Sequence, residues 1–361
     1  MDNETVTVSS VAWTYGLNVN TLQRNYKEVL SGYKSWDQKK HAEDYVLNAA
    51  NISPRLGIDE TSINGDVWTI VHNKDAHGRK SSVVAMIKGT KAESVAKVLN
   101  EIPLADRQKV TSITMDLSDS MRAIASLCFP NARVTRDCFH VMKRGGEAID
   151  ELRMRFKRDA VKKANKEKVE YNKRQEKLRK QRKKYAERMR KKHGGKWHKS
   201  KRGRKPEKVK GFKPEKLSNK ETLVDALTKC RIQLQKSREK WTEHQEERAK
   251  ILFGKYPKLE EAYLAINKLR YIFKNKKLDK VTAKERLEEW YKDVNACTLR
   301  EVKSVRDTIK YYEDEILNYF IKRETNASAE SLNSKIKIFR ADLKGVNDVS
   351  FFMFRVFTVL G

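Results

Sequence analysis

The chain has 361 residues, enough for two or three domains and a sizeable core. Its formal charge of +31 and pI near 9.8 require a polyanionic partner, nucleic acid ahead of an anionic membrane surface. No apolar run approaches the roughly 20 residues of a membrane span, MDNETVTVSS lacks a signal peptide's layout, and the four scattered cysteines form no CxxC pair. A soluble intracellular protein without a zinc ribbon or disulfide framework is therefore expected.

In chain order, residues 8–31 read as helix, tight turn and helix around Gly16, Leu17 and Asn18. Within a DNA-binding region and linker at 1–50, this helix-turn-helix would present Asn20, Thr21 and Arg24 to DNA. Many αα-hairpins share the pattern, so here the signal leans on the charge. Residues 32–53 read as a polar linker with a short helix. Then β-prone segments take over: RLGIDETSI, VWTIVHN and, after a turn at Asp75–Gly78, SSVVAMIKG. A helix, KAESVAKVLNEI, follows, then the buried strand VTSITMD, a helix around SDSMRAIASLC and the strand ARVTRDCFHV. This βββ-α-β-α-β order predicts an α/β, ribonuclease H-like core built from residues 51–142 and 325–361.

Residues 143–216 read as a basic helical arm. Within 151–210, 28 Lys and Arg face seven Asp and Glu, so this stretch holds +21 of the net +31. Such a run is a solvated arm and a nucleic-acid arm at once, with Lys183, Lys184, Arg188, Lys191, Lys192, Arg202 and Arg204 as candidate phosphate contacts. Residues 217–324 read as a helical insertion bundle, where Leu227, Leu234, Tyr263, Ile266 and Trp290 form amphipathic stripes. Their aromatics are expected in the core rather than stacked on bases. In TNASAESLNSKIKIFR, Thr325, Asn326 and Ser328 offer caps, and Leu332, Ile336, Phe339 and Leu343 make one apolar stripe. Glu330 points nearly opposite that stripe, flanked by Asn333 and Lys337, with Arg340 nearby. The segment DVSFFMFRVFTVL is a buried helix or strand.

Two-metal phosphodiester chemistry needs carboxylates that hold two hard cations about 3.5–4 Å apart. On a ribonuclease H-like sheet one acid sits on the first strand, one ends the fourth and a third comes from a later helix. Asp59, Asp116 and Glu330 occupy those points. Taken singly, Asp59 reads as an edge-strand acid, Asp116 as a turn residue and Glu330 as an acid favoured by a helix dipole. Glu60, Asp66, Asp119 and Asp137 compete, and position ranks them lower. Asp137 and His140 form a D-x-x-H pair, which either orients a core histidine or sets His140 beside the scissile phosphate. Two ligands alone argue against zinc there.

The blocks VTSITMDLSDS, RDCFHVMK and RETNASAESLNSKIK resemble the ISL-three family of DDE insertion-sequence transposases over roughly residues 5–360. The resemblance implies a catalytic triad of Asp59, Asp116 and Glu330 binding two Mg²⁺ or Mn²⁺ ions. It also implies a helical insertion before the Glu330 helix, action on double-stranded DNA (terminal inverted repeats and target) as a homodimer, and a bacterial, nucleoid-associated setting. Family members usually carry an N-terminal zinc ribbon. Terminal-repeat recognition is accordingly expected to be weaker here, or supplied by a separate polypeptide. Two other readings stay open: a catalytically inactive or host-adopted basic DNA binder, and a structure-specific nuclease on the same fold.

Overall fold

The computed structural model describes residues 6–195, 211–342, 346 and 348–361, so Arg202, Arg204 and Leu343 lie outside the described residues. The chain forms two compact units: Met1–Lys143 with Ile272–Glu289 and Asp307–Gly361, and Arg144–Tyr271 with Trp290–Arg306.

The first unit opens with α1 (Val8–Thr14) and α2 (Val19–Asn25). Thr7 and Asn18 cap them through side-chain oxygens that accept from the Ser10 and Thr21 amides, while Gly16 turns the chain at φ 64°. α2 then runs directly into a π-helical turn, Tyr26–Leu30. In the stretch read as a linker, β1 (Tyr45–Leu47) adds an unexpected strand, too short to show a period of two.

The expected strands follow as β2 (Arg55–Ile63), β3 (Asp66–Asn73) and β4 (Val83–Lys88). α3 (Ala92–Leu99) and α4 (Leu104–Arg107) lead to β5 (Ser112–Met115), and α5 (Asp119–Cys128) leads to β6 (Arg133–Arg136). The sheet order is β1-β4-β3-β2-β5-β6. β3 runs antiparallel to its neighbours β2 and β4, β5 runs parallel to β2, and β6 runs parallel to β5. The β2–β3 hairpin turns on Asn64 and Gly65, both at positive φ, as a tight twisted hairpin requires.

Period-two alternation divides β2 between the sheet's two faces. Leu56 and Ile58 pack with Ile113, Met115 and the apolar sides of α3 and α5. Ile63 belongs to the opposite face, with Trp68, Ile70 and Met86. That face is covered by α14 (Ala327–Asp342), through Leu332, Ile336 and Phe339, and by α15 (Val349–Leu360), through Phe352, Met353 and Val356. The C-terminal segment is thus a helix, capped by Asp348, whose Oδ1 accepts from the Phe351 amide at 2.8 Å.

α6 (Cys138–Lys192) is one unbroken helix of 55 residues. It is followed by α7 (Leu223–Leu234), α8 (Glu243–Lys255), α9 (Pro257–Lys274), α10 (Lys280–Ala296), α11 (Arg300–Tyr311), α12 (Glu313–Leu317) and α13 (Tyr319–Lys322). In the second unit the aromatics are core, as expected. Trp290 is fully buried with its Nε1 donating to the Ala265 carbonyl at 2.7 Å, and the Tyr263 hydroxyl donates to the Lys236 carbonyl at 3.0 Å. Buried Arg248 grips Glu221 with two 2.8 Å hydrogen bonds, which hold that carboxyl down at about 2. Among the described residues no helix is long and apolar enough to cross a membrane.

Candidate active site

Strand register assembles the site. Ile58 pairs with Met115, and Met115 pairs with Arg136. One residue further along each of these parallel strands come Asp59, Asp116 and Asp137. Adjacent strands lie about 4.8 Å apart, so three aspartates form a row across β2, β5 and β6. Below that row, on the same face, stand Gly57, Thr114 and Thr135, small or hydroxylic residues that give the carboxylates no apolar cover.

Immediately after Asp137 the chain enters α6, so His140 lies in a first helical turn rather than at the strand end expected for it. Asp137 starts that turn: its Oδ1 accepts from the Phe139 amide at 3.3 Å, and its carbonyl accepts from the His140 amide at 3.1 Å. The helix brings His140 Nε2 to 3.0 Å from Asp116 Oδ1, yet that buried oxygen receives no hydrogen bond. The candidate ligand atoms of Asp116, Asp137 and His140 all lie within 4.8 Å of one another. Asp137, ranked low from its position in the sequence, is therefore a member of the cluster and only 2% exposed. The spacing D-x-x-H across a strand–helix junction was the signal for it, and register supplies the third ligand.

The electrostatics match a site waiting for positive charge. Burial pushes the Asp59 carboxyl up to about 6, reinforced by neighbouring Asp116, although the Glu60 amide donates to it at 2.8 Å. Burial likewise raises Asp116 to about 6, with the Asp137 and Glu60 charges adding to the effect and Lys143 and Arg136 opposing it. Arg136 is fully buried and fixes the end of β5 by donating to the carbonyls of Asp116 and Ser118. Its Nε binds Glu315 at 2.5 Å, and Tyr312 stacks beneath its guanidinium. An oxygen-rich cluster with one imidazole and one orphaned carboxylate oxygen, with no Lys or Arg ion-paired to its aspartates among the described residues, fits a divalent ion.

α14 approaches the same row. Its Asn333 donates from Nδ2 to Asp59 Oδ2 at 2.6 Å. Glu330, one turn earlier on that helix, is exposed and stands outside the Asp116–Asp137–His140 group. Of the competing acids, Asp66 pairs with Lys88, Asp119 accepts from the Tyr312 hydroxyl, and Glu60 is exposed beside Asp59.

With this geometry in hand, a family model described as a transposase, of the DDE type named for ISL-three, matches residues 56–356. The chain belongs to the ISL-three family of DDE transposases. No curated protein and no solved structure matches it. Membership makes it a transposase and implies that it binds DNA.

The transposase carries its other expected contact residues at the surface. Asn20, Thr21 and Arg24 are exposed on α2, and Lys183, Lys184, Arg188, Lys191 and Lys192 are exposed along α6. Lys337 is exposed on α14, whereas Arg340 leans back to the Ser62 carbonyl at 3.5 Å.

Proposed function

We propose that this transposase cuts DNA at the ends of its element and joins the freed 3′-hydroxyl to target DNA, using divalent cations on a ribonuclease H-like core. The observation that carries the proposal is the aligned row Asp59–Asp116–Asp137 with His140 beside it. The order β4-β3-β2-β5-β6, antiparallel then parallel, supports the core assignment. Asp59, Asp116 and Glu330 are assigned as the acid triad, with Asp137 and His140 completing the ligand set around Asp116. Mg²⁺ or Mn²⁺, two per site, would supply charge stabilisation to the displaced and attacking oxygens. A nitrogen donor tilts the preference toward Mn²⁺.

The chain's own groups do the rest. The carboxylates align the reacting phosphodiester through what they bind, and the fixed strand ends keep that alignment from drifting. Lys337 and Arg340 meet the DNA backbone beside the site. Asn20, Thr21 and Arg24 in residues 1–50 read the terminal repeats, and the arm at 143–216 holds backbone phosphates. The catalytic core is assigned to 51–142 with 325–361 and the insertion bundle to 217–324. Two copies act across paired ends, at the bacterial nucleoid.

The test is a cleavage and strand-transfer assay with duplexes bearing the element's ends. Glu330→Gln, Asp59→Asn and Asp116→Asn should each lower cleavage at least about 100-fold while leaving duplex affinity unchanged. Joined products support a transposase. Cleavage without joining makes the protein a nuclease, and binding without cleavage makes it a DNA binder.

A further inference from the structure

The segment joining α13 to α14 is tied down at almost every second residue before Glu330. Arg323, in the left-handed region at φ 55°, donates to the Phe273, Asn275 and Leu278 carbonyls. Glu324 turns inward and is 8% exposed. Its Oε2 accepts from Ser112 Oγ at 2.6 Å and faces Lys74 Nζ at 3.9 Å. Lys74 is equally buried and donates to Thr114 Oγ1 at 2.5 Å. Asn326, 3% exposed, reaches the Ile58 carbonyl at 3.5 Å, and Ser328 Oγ meets His72 Nε2 at 3.1 Å. The next tie is Asn333 on Asp59.

An isolated buried ion pair is a poor source of net stability, because desolvating both charges offsets their attraction. Apolar side chains would cover this part of the sheet at least as well. What a charged pair does better is accept only one register. Its groups sit at defined points: Lys74 follows β3, Ser112 and Thr114 are on β5, and Glu324 lies six residues before Glu330. A slip of one residue in this segment would leave two charges buried and unpaired, besides turning Glu330 about 100° around its helix.

We infer that the buried Lys74–Glu324 pair, with the Ser328–His72 contact, is a positioning lock that sets the register of α14 on the sheet and so the approach of Glu330 to Asp59. The lock rests on the assignment of Glu330 as the third acid. Lys74, Glu324, Ser328 and His72 are positioning residues, acting through Glu330 and touching no reacting atom.

The experiment uses the full chain and Mn²⁺ alone as probe, bound Mn²⁺ being read by electron paramagnetic resonance and cleavage measured in parallel. Glu324→Gln keeps the Ser112 contact but removes the charge, and Ser328→Ala removes the next tie without altering charge. Both should weaken Mn²⁺ binding about tenfold, the lower end for groups that orient ligands, and excess Mn²⁺ should restore cleavage. Glu330→Gln should weaken Mn²⁺ binding as well, but excess Mn²⁺ should not restore its cleavage. Wild-type Mn²⁺ affinity in both Glu324→Gln and Ser328→Ala, with Glu330→Gln impaired, overturns the lock alone. Wild-type behaviour of Glu330→Gln overturns the triad assignment and the lock with it. Should Glu324→Gln fail to fold, Ser328→Ala decides by the same criterion.

Discussion

Asp59 and Asp116 each titrate near 6 because the strands bury them beside other carboxylates. Their ordinary value is 3.8, so between about pH 4 and 6 the folded chain holds protons that the unfolded chain has lost. Stability should therefore fall as pH rises through that window, and above it the protein carries the penalty of two ionised, half-buried acids. A divalent cation bound at the proposed site would remove that penalty. Thermal unfolding in EDTA should show the fall, Asp59→Asn should flatten it, and the Mn²⁺-induced rise in Tm should be small near pH 5 and large near pH 7. A Mn²⁺ effect that does not change with pH would contradict this account. At this scale the sequence disclosed a good deal: an acid inside an apolar strand and another at a strand's end are conspicuous. Asp137 was less so: the D-x-x-H spacing marked it, but such a pair reads equally as an acid that orients a core histidine. Only register reveals that Asp137 stands beside Asp116.

Among the elements, β2 and α14 meet where one side chain is missing. A Cβ at Gly57 would run into the His72 ring and come within 2.7 Å of Asn326 Oδ1. His72 is 1% exposed and burial holds its pKa down to about 3, so it stays neutral and cannot swing into water. Gly57→Ala should therefore lower stability by about 1–3 kcal/mol in denaturant melts, as overpacking does, and weaken Mn²⁺ binding by pushing Asn326 and the start of α14 off the sheet. An unaltered melt would show that the seam is slack. The main strands and helices were legible from their periods. β1 was hidden by its three-residue length, and the end of β6 was misjudged because the β-prone Val134, Thr135, Phe139 and Val141 continue straight across the junction into α6. The C-terminal segment, apolar nearly throughout, carries no period to separate helix from strand; packing against β3 and β4 decides it.

For the whole molecule, the proposed hold on DNA is electrostatic. If about eight cations of the arm neutralise phosphates, the log–log dependence of affinity on salt should have a slope near −7. Replacing Lys183, Lys184, Arg188, Lys191 and Lys192 with Gln should flatten that slope by about 4, measured by fluorescence anisotropy across a salt series with duplexes of unrelated sequence. An unchanged slope would remove α6 from the DNA contact. Composition announced the polyanionic partner at once. What it concealed is how the chain is shared between units, since the sheet-bearing unit takes in Ile272–Glu289 and Asp307–Gly361 from far downstream.

That division has a consequence for synthesis. The strands with Asp59, Asp116 and Asp137 leave the ribosome early and the cationic α6 next, but α14 and α15, which roof the sheet, are made last. On the roles proposed above, a nascent or prematurely stopped chain would grip nucleic acid while still lacking Glu330, so the blade would be fitted only after the handle is complete.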